Sequence, residues 1–520
     1  MAQYLICTTL IVFLFLLVIH ETIQDLKILR NPFKRVALCL FLTLLFKYNY
    51  GIHFYGLEYE DAFVFSFCAR QFLYNIFPTS FLIDGVSVGS LTEPTMTSTY
   101  GGHFIMYPAY LSLFTSIFGW SPVILSIANT VLAFFILLVL SILPRNRKSW
   151  FIPPVIYCCA PIVNVFTTCF LSEIFSSFIC LTFIYAFIRK RSTLNNALCI
   201  ISFVVAIMCK RENLALLIVP TLELMFLCKY KSFSNKKNVK DLLLRYAPYY
   251  IILILYFLFI QDVFEIERVE SKDIESSTFS MGYLKILLPA FVKSLLSLET
   301  FSVAFILLII RIAYLFFYKK SVGRNEAIML ILFGVYLMLY SSHYRGYFFV
   351  KEESVSSFET YRYINNFFYL IPVVFVGFCN TNLNRFKLIA CSILILTFSI
   401  YHTYSFRLGL SEIEHEERFK EAELVSKYIR DNSKNSLLIC ENILVYQNLC
   451  DDKFNVCDIR LKNALEKNKI HDCYLLLSDI GYLNERYSLT ITLQDIRPVM
   501  HLGNGRYLYK YTTDNGVPIR

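Results

Sequence analysis

GLEYEDAFVF, residues 56–65, gathers Glu58, Glu60 and Asp61 within four residues, directly after an apolar run. What three acids do there depends on where lipid ends, and composition decides that. The 520-residue chain is 56% hydrophobic and only 17% charged, more apolar surface than a soluble protein of this length can hide from water. Phe (49) and Tyr (36) are abundant while Gly (17) and Pro (15) are few, which suits long helices rather than a porin-like barrel. The net charge of +10 does not indicate nucleic-acid binding, because basic residues in a membrane protein collect in cytoplasmic connections. The expected fold class is a polytopic α-helical membrane protein.

Working outward from the acids, apolar runs of spanning length fall near 4–20, 36–54, 121–143, 150–166, 170–188 and 195–209. Others follow near 213–228, 246–261, 301–318, 326–341, 363–379 and 387–405, about twelve spans in all. MAQYLICTTLIVFLFLLVIH at the start has no basic n-region or small-residue cleavage site, so it reads as a retained helix. KILRNPFKR (27–35), RNRK (145–148), RKR (189–191), KYKSFSNKKNVK (229–240), KK (319–320) and NLNRFK (382–387) alternate with less basic connections. A cytoplasmic side requires that alternation.

The other connections are then outer: 55–120, the bend at 165–172, CKREN (209–213), 262–300, 342–362 and the tail. This register requires YPAYLSLFTSIFG (107–119) to lie along the outer surface, and 282–298, with Lys285 and Lys293, reads the same way. The expected domains are a transmembrane part, 1–405, with its first outer loop at 55–120, and an outer α/β domain, 406–520. In the tail a charged helix with Phe419, Leu424 and Ile429 at helical spacing precedes SLLIC, FNVCDI, CYLLLSD and GRYLYKYT, which read as strands. Most of the 16 Cys lie in apolar runs and none has C-x-x-C spacing, which argues against zinc. Cys440, Cys450, Cys457 and Cys473 in the tail leave one or two disulfides open if it lies outside the cytosol.

The acids at 58–61 thus sit at the outer end of the second span, where ending a helix in solvent would explain them. Other outer connections add charges at the same level: Glu173 in FLSEIFSS, Lys210 and Arg211 in CKREN, Glu359 and Arg362 in SFETYRYINNFF, and His103 and Tyr107 in GGHFIMYP. Transporters place charges nearer the midplane, where a charge is most costly. Arg311 in LLIIRIAYLFF is the exception, and snorkelling toward the inner face accounts for it. A ring of charge at one interface suits chemistry on a lipid headgroup.

This order of features resembles the GT-C superfamily of integral-membrane glycosyltransferases, which take a sugar from a polyprenyl-phosphate carrier on the non-cytosolic side. YEDAFVFSFCARQF (59–72) is similar to the acidic first-loop stretch of bacterial arabinofuranosyl-, mannosyl- and aminoarabinose-transferase-like members. The interfacial helix at 107–119, Ser172-Glu173, the KREN corner, Arg362-Tyr363 and the terminal α/β domain follow in order over most of the chain. The acidic loop here follows the second apolar run rather than the first, and Glu60-Asp61 replaces Asp-Asp.

The resemblance implies sugar transfer to an acceptor hydroxyl, with inversion and a first-loop acid as base: Asp61, with Glu60 second. Either acid is also suited to a divalent cation, Mg or Mn, which some relatives use. Lys210, Arg211 and Arg362 are the candidates for the lipid phosphate, against a snorkelling pair at 210–211. Glu173 is placed to orient a cation or a sugar hydroxyl, or is a plain interfacial acid. His103 and Tyr107, and His343, Arg345 and Lys351 nearer Arg362, are candidates for substrate contact or are ordinary loop and belt residues. The loop at 262–277 would cover the site. Implied partners are the polyprenyl-phosphate sugar, membrane lipid and a glycan, lipid or protein acceptor. The expected setting is a bacterial cytoplasmic membrane with the site facing outward. A polysaccharide polymerase or ligase, a lipid-linked-sugar transporter or flippase, and a non-catalytic assembly protein are the other readings.

Overall fold

Helices form along the described residues of every apolar run, and prolines mark two of the breaks between them. The structure is a computed structural model that describes residues 2–47, 106–119, 121–145, 147–167, 172–189, 192–230, 236–260, 281–297, 301–317, 323–342, 356–378, 385–411, 415–432, 436–440, 454–458, 472–477, 498–502 and 505–512. Asp61, Glu60 and His103, the loop at 262–277, and His343, Arg345 and Lys351 lie outside the described residues. Two compact units are present, one within 1–412 and one that holds 413–520.

The first unit runs α1 Ala2–Ile28, α2 Pro32–Leu42, α3 Met106–Phe118, α4 Pro122–Ile142, α5 Ile152–Cys158, α6 Pro161–Phe166, α7 Ser172–Ile188 and α8 Thr193–Cys209. A 3₁₀ segment, Arg211–Leu217, leads into α9 Ile218–Tyr230, followed by α10 Lys236–Leu255, α11 Met281–Leu296, α12 Ser302–Phe317 and α13 Arg324–Ser341. The unit closes with α14 Ser356–Phe367, α15 Leu370–Phe378 and α16 Arg385–Ser411. Among the described residues three helices are long and apolar enough to cross a bilayer unaided, Leu5–Ile28, Val123–Ile142 and Leu388–Ser405. The chain is a helical membrane protein.

Burial ranks the helices. α7 is apolar all round and buried from Ser172 to Phe187, the pattern of a central helix, and it packs against α4, α8 and α14. α16 instead exposes Ile393, Leu394 and Tyr401, as a lipid-facing helix does. The run at 150–166 is two helices, because Pro161 has no N–H to continue the first. The Cys158 carbonyl beside that break accepts from Asn164 Nδ2 (2.9 Å) and from Ser399 Oγ of α16 (2.6 Å). The run at 363–379 divides likewise between α14 and α15, just ahead of Pro372. The helix at 107–119 forms as α3, with Met106–Ser112 buried and its last turn exposed.

Several charges are bound into the helix packing. Arg189 pairs with Glu21 and Asp25 of α1, and Arg35 donates to the carbonyls of Ser141 and Arg145 at the end of α4. The snorkelling account of Arg311 is corrected: its guanidinium holds Glu326 of α13 through two bonds, 2.9 and 3.2 Å, and both residues are buried. Removing Arg311 takes away the counter-ion of the buried Glu326, so Arg311→Leu should cost about 3–5 kcal/mol in thermal unfolding. Arg311→Leu with Glu326→Leu should recover most of that loss. A single variant as stable as wild type would show that the pair is solvated.

In the second unit α17, His415–Asn432, precedes β1 Ser436–Cys440, β2 Phe454–Asp458, β3 Asp472–Leu477, β4 Pro498–His501 and β5 Tyr507–Thr512. The sheet order is β2-β1-β3-β5-β4, with β1 parallel to β2 and β3, and β5 antiparallel to β3 and β4. The buried face of α17 differs from the expected one: Ala422, Val425, Ser426 and Ile429 are buried, whereas Leu424 is 57% exposed. Position 424 is one residue from the 422/425/426/429 stripe, about 100° around the helix. Ile429→Ala should therefore cost about 2–4 kcal/mol, and Leu424→Ala less than about 0.5 kcal/mol. Hydrogen exchange of the α17 amides in the full chain reads both, and equal losses would reject this face.

Candidate functional site

The first turn of α7 carries Glu173, a carboxylate at a helix N-terminus where the dipole favours it. Two cations from elements far apart in sequence meet it. Lys210 Nζ donates to Glu173 Oε1 at 2.8 Å, and Arg362 Nε donates to the same oxygen at 2.6 Å. Oε2 is buried with no hydrogen-bond partner. Glu173 is 1% exposed, while the Lys210 and Arg362 side chains keep 15% and 10%. The carboxylate is thus the floor of the site, and Lys210 is the more open of its two cations.

Local structure brings each residue there. α8 stops at Cys209, and Lys210 is extended (φ −152°, ψ 135°), so the chain turns before the 3₁₀ segment begins. Seven residues is long for a 3₁₀ segment and needs outside support. Asn213 supplies it. Its Nδ2 donates to the Ala206 carbonyl of α8 and to Ser176 Oγ of α7, both at 2.9 Å, and its Oδ1 accepts from Tyr336 at 3.2 Å. Arg362 is fixed through α14: Ser177 Oγ donates to the Asn365 and Asn366 carbonyls at 3.2 and 3.3 Å, and Asn366 Nδ2 donates to the Tyr340 hydroxyl.

Of the residues expected at the site, Glu173, Lys210 and Arg362 are brought together. Arg211 stands exposed at the start of the 3₁₀ segment. Tyr107 is buried, donates at 3.0 Å to Asn129 of α4, and lies beside Phe175 of α7, so it joins α3 to the central helix. Sequence reasoning missed the supporting layer of Asn213, Ser176, Tyr336, Tyr340 and Asn366. Its one visible signal was Asn213 directly after the basic corner. Among the described residues no group of three His, Cys, Asp or Glu is placed to hold a metal ion.

Two cations over one buried carboxylate are chemically suited to an anion. Lys210 offers a point charge and Arg362 a planar fork.

No protein-family model and no curated protein matches the sequence. Among solved structures, ArnT from Cupriavidus metallidurans bound to undecaprenyl phosphate is similar, with a TM-score of 0.54 at 12% identity over 92% of this chain and 97% of that one. Its apo state gives 0.50 at 11% identity over the same shares. The apo Archaeoglobus fulgidus oligosaccharyltransferase gives 0.47 at 10% identity, over 88% of this chain and 70% of that one. The two ArnT structures share their fold with this chain, and it is the GT-C fold that the order of its motifs implied.

Proposed function

We propose that this protein is a glycosyltransferase that moves a sugar from a polyprenyl-phosphate donor to an acceptor hydroxyl at the outer membrane face, with inversion. The observation that carries this reading is the convergence of Lys210 and Arg362 over Glu173 in a chain of GT-C fold. A neighbour of that fold holds undecaprenyl phosphate, and a lipid phosphate is the anion that paired cations beside an apolar helix bundle suit.

In the proposed step Asp61, or Glu60 in its place, takes the proton of the acceptor hydroxyl. The acceptor oxygen bonds to the anomeric carbon on the face opposite the phosphate. The bond from that carbon to the phosphate oxygen breaks, and its electron pair stays on the phosphate. Lys210 and Arg362 meet the charge that grows there, where fixed cations stabilise a transition state most. Arg211 adds positive charge at the exposed rim, and His103 belongs to the acceptor side. A divalent cation at Glu60 and Asp61 would supply further positive charge near the reacting hydroxyl.

The proposed setting is a bacterial cytoplasmic membrane with the site and the α/β domain facing outward. The acceptor is a glycan, a lipid or a protein.

Purified protein in proteoliposomes, given a panel of polyprenyl-phosphate sugars and acceptors, should transfer sugar from one donor class. Movement of the intact lipid-linked sugar between leaflets without transfer would favour a flippase and overturn this reading.

A further inference from the structure

We propose that Arg245 and Arg324 form a second anion site, at the membrane face opposite Glu173, and that it holds the headgroup phosphate of an anionic phospholipid. The site lies outside the machinery of the proposed sugar transfer and does not depend on it.

α13 sets the separation of the two sites. Its Tyr340 hydroxyl accepts from Asn366 in the layer that supports Arg362, and Arg324 begins the same helix. The helix rise puts Arg324 about 24 Å along the axis from Tyr340, close to the thickness of a bilayer's hydrocarbon core. The connections that flank the arginines, 229–240 and 319–320, carry only basic charges, as cytoplasmic connections tend to. Asp241 is the one acid between 229 and Arg245.

Glu223 of α9 gathers the two arginines. Arg245 Nη2 donates to its Oε1 at 2.7 Å, and Arg324 Nη2 lies 2.6 Å from the same oxygen. α9 packs against both α10 and α13, so the carboxylate is a floor between the helices that supply the arginines. The Arg245 and Arg324 side chains are 28% and 39% exposed, so both guanidinium groups are open to a ligand. Among the described residues neither pairs with a second carboxylate, and Glu326 in the first turn of α13 is taken by Arg311.

A guanidinium has more N–H donors than one carboxylate oxygen uses. Among the described residues Arg245 Nε is buried without a hydrogen-bond partner. A tie between helices accounts for the bonds to Glu223 but not for that donor, which costs free energy until an acceptor reaches it.

The surroundings suit a lipid rather than a free ion. Arg324, Ile331 and Met338 recur every seven residues on α13 and are all exposed, so the face that presents the guanidinium continues as an apolar stripe. Ile251, Ile254 and Leu255 are exposed along α10 beyond Arg245. A phosphate held by the arginines thus leaves its acyl chains along two apolar helix faces. Arginine fits this place because its fork bonds a phosphodiester through two nitrogens while its stem crosses apolar surface.

The test is lipid binding to the full chain in mild detergent, read by native mass spectrometry, with phosphatidylglycerol and phosphatidylcholine of the same acyl chains as probes. Wild type should hold phosphatidylglycerol about tenfold more tightly, because the choline cation opposes the arginines. Arg245→Gln with Arg324→Gln should remove that preference, and Lys210→Gln with Arg362→Gln should leave it intact. The reverse pattern would put the lipid at the Glu173 site and overturn the proposal, as would equal retention of both lipids by wild type. Displacement of phosphatidylglycerol by millimolar inorganic phosphate would show a free-anion site, and the lipid assignment would fall.

Should the double variant fail to fold, Arg324→Gln alone changes the more exposed position. It should lower phosphatidylglycerol affinity about tenfold and reduce the rise in Tm that the lipid gives wild type. A variant that keeps both would reduce the cluster to a tie between helices. Neither readout depends on sugar transfer, so failure here leaves the glycosyltransferase reading standing.

Discussion

Lys210→Gln with Arg362→Gln should lower sugar transfer about a thousandfold, with most of the loss in the donor phosphate contacts. A hydrogen bond to a charged group contributes about 1.5–3 kcal/mol, so two of them amount to about 4 kcal/mol, or three orders of magnitude in rate. Arg362→Lys should fall between, because an ammonium cannot reproduce the guanidinium fork that gives Nε to Glu173. The structural alternative is that the three residues only tie α7, α8 and α14 together. The triple change to Gln at 173, 210 and 362 separates the two accounts. It removes every charge of the cluster at once, which is far less destabilising than stranding one. A folded triple variant should remain inactive and should fail to bind undecaprenyl phosphate. A triple variant with wild-type transfer would return the cluster to scaffolding.

Hydropathy was enough to place the helices, since each apolar run is helical over its described residues apart from the breaks at 159–160 and 368–369. Glu173, Lys210 and Arg362 were also legible as charges at one membrane level. That they share a single carboxylate oxygen was not, because the contact depends on where Lys210 leaves α8 and how α14 is held by Ser177. Pairing across helices escapes sequence for the same reason: Arg311 reads as a lone charge until α13 brings Glu326 beside it. In the tail β1, β2, β3 and β5 follow from apolar and aromatic runs, while β4 did not. It has four residues, begins with Pro498 and lies at the sheet edge, where periodicity has little length in which to register. Leu424 misled because a charged helix offers several apolar stripes, and only packing chooses among them.

Asp61→Asn should abolish transfer to below about a thousandth of wild type, the usual order for loss of a general base with its local electrostatics. Glu60→Gln should cost much less, within about tenfold, if Asp61 holds the base position. Reversal of the two would assign the role to Glu60, a choice left open because Glu60-Asp61 stands here in place of a pair of aspartates. The change from carboxylate to amide keeps size and most hydrogen bonding, so binding of undecaprenyl phosphate at Lys210 and Arg362 should persist in both variants. Retained binding with lost turnover is the signature of a group acting on the acceptor rather than on the donor. Chelation then divides base from metal ligand. If Asp61 acts as base without a metal, EDTA leaves wild-type turnover intact. If it holds a divalent cation, EDTA removes turnover and added Mg or Mn restores it in wild type but not in Asp61→Asn. Full turnover in Asp61→Asn and Glu60→Gln alike would reduce the quoted acids to the solvated end of a helix, and the base would have to be sought elsewhere on the outer face.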